Sequence, residues 1–121
     1  MLLSFSKHYK RIYGQYNRLY FNKQLPYDIP VLTTSELPGS WYGKVSYDMH
    51  IRRKKDLKGH NYDIIILLND KNRHNEQKLT LLHEMVHLYL DQQGHTRVQH
   101  GKLFQKEMQR LALSGAFAKL W

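Results

Sequence analysis

The sequence predicts a small α+β domain, because segments with helical and with strand-like periodicity occupy separate stretches of the chain. An amphipathic N-terminal pattern is followed by three short segments with strand-like patterns, and then by an apolar stretch long enough for a buried helix. The chain has 121 residues, of which 41% are hydrophobic, and this length suits one core. We therefore expect residues 1–121 to form a single domain with an N-terminal helix, a three-stranded sheet and two further helices.

The N-terminal helix is predicted between Ser4 and Asn22. Large side chains recur there at intervals of three and four residues, which places them on one helix face, while the basic residues fall elsewhere. Gly14 lowers the helix propensity by about 1 kcal/mol relative to alanine, but the pattern continues on both sides of it. The predicted apolar stripe consists of Phe5, Tyr9, Ile12, Tyr13, Tyr16, Leu19 and Tyr20.

Three segments are predicted to form strands. Ile29 to Thr34 is rich in β-branched residues, and Trp41 to Ile51 alternates roughly between apolar and polar positions, with Gly43 as a candidate bulge. Tyr62 to Leu68 is a continuous apolar run, which is typical of a strand covered on both faces. A polar, charged segment over residues 52–61 connects the last two.

Two helices are predicted in the C-terminal half. The first runs from about Asn75 to Gln92, and eight of the twelve residues from Leu79 to Leu90 are apolar, which indicates a buried helix. Gly94 is a stop signal, and the second helix is predicted from about Val98 to Leu113. The small, apolar residues after it are expected to pack back on the body.

The composition excludes several classes of site and location. There is no cysteine, so disulfides, thiolate nucleophiles and cysteine-based zinc or iron–sulfur sites are excluded, and any metal must bind His, Asp or Glu. The longest aliphatic run has five residues, against the ~20 of a membrane-spanning helix. The apolar N-terminus is also too short for a signal peptide. We expect a cytoplasmic protein without membrane contact.

The buried helix contains His83-Glu84-Met85-Val86-His87, an HExxH motif. Residues four apart lie on one helix face, so both imidazoles can bind one tetrahedral ion such as zinc, and Glu84 can act as general base toward a water molecule. The alternative is that these are chance polar residues of the core, each satisfied by another neighbour. Leaving them unpaired in an apolar helix would cost several kcal/mol each, which favours a metal.

A catalytic zinc site needs a third protein ligand, and four residues downstream are candidates. Asp91 lies a turn beyond His87 on the same helix, and His95 falls in the predicted turn. His100 would open the third helix, and Glu107 follows two turns later, about 10 Å away, so these two cannot share one ion. The residues themselves leave the choice between His100 and Glu107 open.

Together, His83-Glu84-Met85-Val86-His87 and His100-Gly101-Lys102-Leu103-Phe104 resemble the SprT-like (Spartan-type) metalloprotease domain, and the likeness extends over roughly residues 10–112. The resemblance implies a zincin-like fold, with one zinc ion held by His83, His87 and His100 and with Glu84 as catalytic base for peptide-bond hydrolysis. Lys102 replaces the family's usual proline. Without cysteine, the four-cysteine zinc ribbon of many relatives cannot form, so a bare catalytic domain is implied.

The substrate is expected to be a protein or peptide that adds in extended form to a sheet edge. Either the Trp41–Met49 or the Tyr62–Leu68 strand is a candidate edge. A rival hypothesis is a catalytically inactive zinc-containing module that binds DNA or protein, although a purely structural site would gain nothing from Glu84.

DNA is a candidate partner, because the formal net charge is +9 and residues 1–60 carry eleven Lys and Arg against four acidic residues. Spartan-like relatives cleave proteins crosslinked to DNA, so the resemblance points the same way. The alternative is a solvated loop between two strands. The predicted phosphate contacts are Lys44, Arg52, Arg53, Lys54, Lys55 and Lys58.

Overall fold

The computed structural model describes residues 4–35, 43–50, 61–95, 100–118 and 120, with the backbone alone for residues 44–50 and 61–63. Over these residues the chain is α+β, as predicted. Its elements are β1 (Ser4–Phe5), α1 (Lys7–Tyr20), β2 (Val31–Thr34), β3 (Gly43–His50), β4 (Asn61–Asn69), α2 (His74–Gln92) and α3 (Lys102–Leu113).

Helix α1 begins at a capping serine, since the Oγ of Ser6 accepts a hydrogen bond from the backbone N–H of Tyr9 at 3.0 Å. Tyr9, Ile12 and Tyr13 are buried, and Tyr16 and Tyr20 are partly buried, which confirms five of the seven residues of the predicted apolar stripe. There are two exceptions: Leu19 is 61% exposed, and Phe5 lies before the helix, in β1.

The sheet has the strand order β1-β2-β4-β3. The three predicted strands are present, and β1 is a fourth, two-residue strand that pairs antiparallel with β2. Strand β2 runs parallel to β4, and β3 runs antiparallel to it. Ile65 to Leu68 of β4 are almost completely buried, as expected for its continuous apolar run. Because β4 lies between β2 and β3, it is an interior strand, and the edge strands of the described sheet are β3 and the two-residue β1.

Gly43 permits a close approach of β3 to α2. It pairs with Leu68, and the register of β3 against β4 is regular, so the bulge expected at Gly43 is wrong. A Cβ atom on Gly43 would lie 2.6 Å from the carbonyl oxygen of Leu67 and 2.7 Å from Cγ2 of Thr80. The absent side chain therefore lets the start of β3 lie directly against α2, one turn before His83.

Helix α2 forms the centre of the core. Leu81, Leu82, Met85, Val86 and Leu88 have no exposed surface, so the prediction of a buried helix is confirmed. The helix contacts α1, α3, β3 and β4, which explains why it is apolar on most of its sides.

Helix α3 begins at Lys102, and Phe104 and Leu111 bury its inner face. Arg110 ties its end to α1, because Nη1 donates to the carbonyl oxygen of Tyr20 at 2.7 Å. Ala116, Phe117 and Leu120 are buried, which confirms that the tail packs back on the body.

The predicted phosphate contacts lie outside this description, which covers neither residues 51–60 nor the side chain of Lys44. Of the helices that are described, none is both long and apolar enough to cross a bilayer.

Candidate metal centre

Two imidazoles of the HExxH motif meet on one face of α2. His83 and His87 are separated by one helical turn, and their Nε2 atoms lie 3.2 Å apart. Both side chains are partly buried. The spacing of the motif is therefore realised as the sequence predicts.

His100, which lies just before α3, completes a triangle. Its Nε2 atom is 3.1 Å from that of His83 and 3.2 Å from that of His87. Within the described part of the chain, these are the three His, Asp or Glu side chains grouped closely enough to hold a metal ion, with all ligand atoms within 4.8 Å of one another.

The geometry and the donor set both fit a divalent ion. Zn–N bonds of 2.0–2.1 Å at tetrahedral angles place neighbouring nitrogens about 3.3 Å apart, close to the observed separations. A neutral imidazole carries a single N–H, so three ε nitrogens that face one another compete for few protons. One cation can instead accept a lone pair from each of them.

The other candidate ligands do not join this group. The Glu107 carboxylate accepts a hydrogen bond from Nε of Arg110 at 2.8 Å, so it stabilises α3 instead. Neither Asp91 nor His95 belongs to the group of three. The sequence alone left open whether His100 or Glu107 is the third candidate ligand. The structure places His100, and not Glu107, beside the HExxH histidines.

Phe104 contacts all three imidazoles, a role that sequence reasoning missed. Its ring centroid lies 4.8 Å from that of His83, 4.6 Å from that of His87 and 4.9 Å from that of His100. The Phe104 side chain is only 3% exposed. The sequence feature that could have indicated this contact is the position of Phe104 four residues after His100, on the first turn of α3. Its packing restricts the orientation of the histidine rings.

His83 and His87 are held in the neutral form, which is the form that binds metal. Burial, assisted by the neighbouring imidazoles of His87 and His100, lowers the pKa of His83 to about 4. Burial and the charge of His100 also lower the pKa of His87, against a smaller opposing effect of Asp91. At neutral pH each of these two imidazoles therefore has one unprotonated nitrogen, whose lone pair can bind a metal ion.

Glu84 is buried beside the first histidine, with 7% of its surface exposed. Burial raises the pKa of its carboxyl group to about 7. Its Oε2 atom has no hydrogen-bond partner among the described residues. A carboxyl group with these properties can gain or lose a proton near neutral pH at little cost, as a general base requires.

One comparison with known proteins identifies a family for the chain. The family model described as the SprT-like family matches residues 9–118, which is nearly the whole chain. Neither the curated proteins nor the solved structures compared with the chain include a match.

Proposed function

Because the chain belongs to the SprT-like family, we propose that it is a zinc-dependent metallopeptidase of the HExxH zincin type. The observation that carries this proposal is the convergence of the Nε2 atoms of His83, His87 and His100 to within 3.2 Å of one another. Three imidazoles that converge in this way are a set of protein ligands typical of a catalytic zinc site.

The proposed mechanism divides the work between the histidines and Glu84. A zinc ion held by the three imidazoles would polarise a peptide carbonyl and acidify a water molecule. Glu84 would accept a proton from a water molecule as the oxygen of that water adds to the carbonyl carbon. It then delivers the proton to the leaving amine as the C–N bond breaks, which returns the carboxylate to its starting form. Phe104 holds the three rings in position throughout.

Strand β3 is the better of the two edges considered for substrate binding. It is the last strand of the sheet, whereas β4 has β2 and β3 on its two sides. An extended peptide can add to such an edge through backbone hydrogen bonds. Because the beginning of β3 packs against α2 beside Thr80, a peptide on this edge would pass near the HExxH histidines.

We also propose DNA-associated or DNA-crosslinked proteins as a substrate class, on the strength of the family and of the net charge of +9. The cations that would contact phosphate are those predicted from the sequence, namely Lys44, Arg52, Arg53, Lys54, Lys55 and Lys58.

Metal analysis and peptide hydrolysis, measured on one preparation, test the main proposal. We expect Glu84→Gln to bind as much zinc as the wild type and to lose hydrolysis, because the amide cannot accept the proton. His100→Ala should lower both zinc content and activity. His95→Ala, which changes an exposed histidine outside the triangle, is the matched control and should alter neither.

Two results would contradict the proposal. If Glu84→Gln cleaved peptides as fast as the wild type, Glu84 would not be the base. If the wild type bound zinc at this site and cleaved none of a broad set of unfolded proteins, with and without DNA, the alternative of an inactive zinc-containing binding module would be favoured.

A further inference from the structure

A second pair of histidines lies at the starts of α1 and α2, outside the metal centre. His8 and His74 are both exposed, and their ring centroids are 5.1 Å apart with the ring planes inclined by 36°. The imidazole pairs of the three-histidine centre have centroid separations of 4.9 to 5.0 Å. The centroid separation of the His8 and His74 rings is therefore close to that of the ring pairs in the three-histidine centre.

The proton on one of these rings is placed by a hydrogen-bond chain of fixed direction. Nε2 of Gln77 donates to the backbone carbonyl of Asn69 at 3.0 Å, so the amide oxygen of Gln77 faces Tyr9. That oxygen can only accept, and the Tyr9 hydroxyl therefore donates its proton to it. The same hydroxyl lies 2.7 Å from Nδ1 of His74 and must accept there, so Nδ1 carries the proton.

This assignment leaves the Nε2 of neutral His74 with a free lone pair. Burial raises the pKa of Tyr9, so the hydroxyl keeps its proton at physiological pH. Burial, and then the charges of Lys78 and His8, lower the pKa of His74 and favour its neutral form. Metal-binding histidines almost always donate their second ring N–H to an oxygen in this manner, which fixes the tautomer and the ring orientation.

We propose that His8 and His74 form a second metal site, specific for divalent ions that prefer imidazole, such as Ni²⁺, Cu²⁺ and Zn²⁺. Water would fill the remaining positions. His74 precedes His83 by nine residues on α2, a rise of about 14 Å, so the two sites do not share an ion. With two protein ligands, and with Lys78 nearby, this site is weaker than the three-histidine centre. A bound ion would connect α1 to α2.

Nickel binding to the metal-free protein tests this proposal. We expect His8→Ala and His74→Ala each to bind one equivalent of Ni²⁺ fewer than the wild type in equilibrium dialysis with metal analysis. This difference is expected whether or not the three-histidine centre binds nickel, so a failure of the proposed function would not affect it. His95→Ala, an exposed histidine elsewhere, should not change the binding of this equivalent.

A third variant separates the hydrogen-bond chain from the ligands. Tyr9→Phe keeps both imidazoles but removes the oxygen that orients His74, and we expect it to weaken the second site about tenfold without removing it. Circular dichroism would confirm that the variants fold. Unchanged nickel stoichiometry in both His8→Ala and His74→Ala would overturn the proposal, as would an equal loss in His95→Ala, which would indicate general surface binding.

Discussion

Replacing Glu84 with glutamine should change the pH dependence of the free energy of unfolding. In the metal-free folded protein, burial raises the pKa of Glu84 to about 7, whereas its ordinary value is 4.5. Between these two values the unfolded chain has already lost the proton that the folded protein retains. The wild type is therefore destabilised as the pH rises through this window, and the full cost is present above pH 7.

The size of the effect follows from the two pKa values. The interval between 4.5 and about 7, at about 1.4 kcal/mol per pH unit, corresponds to about 3 kcal/mol. Exposure of 7% leaves little water near the carboxylate to reduce this figure. Glutamine cannot ionise, so the stability of Glu84→Gln relative to the wild type should increase by about 3 kcal/mol from pH 4 to pH 8.

Urea unfolding followed by far-ultraviolet circular dichroism, in the presence of a chelator, measures this difference. The histidines titrate in both proteins, so their contributions cancel in the comparison. Glu76→Gln is the matched control, because it removes a carboxylate from the same helix at a position where the side chain is 42% exposed. If the wild type and Glu84→Gln gave parallel stability curves from pH 4 to pH 8, the burial argument for Glu84 would be refuted.

Three further predictions concern packing and charge. Gly43→Ala should destabilise the protein by about 1–3 kcal/mol, because the added Cβ would press on Leu67 and Thr80. Gly14→Ala should instead stabilise α1 by about 0.5–1 kcal/mol, because nothing lies within 4 Å of the added Cβ. Urea unfolding measures both changes in the free energy of unfolding. Phe104→Ala should lower the free energy of unfolding by about 3–5 kcal/mol and should also lower the affinity for zinc. A loss of stability with unchanged zinc affinity would argue against the role of Phe104 in orienting the imidazoles. Serine in place of the basic residues at positions 52–55 should weaken DNA binding and flatten its salt dependence; a wild type that bound no DNA at low salt would end that proposal. The residues concerned are Arg52, Arg53, Lys54 and Lys55.

The sequence predicted those features that depend on local periodicity. Side chains at intervals of three and four residues indicated α1, and a stretch that is apolar on nearly all sides indicated α2. The spacing of His83 and His87 placed them on one face because a single helical turn separates them. Strand β1 was missed because two residues show no period. The bulge expected at Gly43 was wrong because a glycine in a strand also permits close approach of a helix, and the pattern does not distinguish the two.

Features that join distant segments could not be derived from such patterns. The residues left His100 and Glu107 open, because the direction in which α3 leaves the turn depends on its packing against α2 and α1. Arg110 explains why Glu107 lies outside the group of three histidines, since it binds both that carboxylate and the carbonyl of Tyr20. The bond between Tyr9 and His74 spans 65 positions and leaves no periodic signal.

The position of His100 outside α2 has a consequence for motion. Helix α3 is secured at its start by the packing of Phe104 against His100, and at its end by the hydrogen bond from Arg110 to the carbonyl of Tyr20. An ion at the centre would therefore connect α2 to the start of α3. Its removal by a chelator should make the first turn of α3 unfold locally more often than the last turn. Amide hydrogens near Phe104 should then exchange faster, while those near Arg110 remain protected.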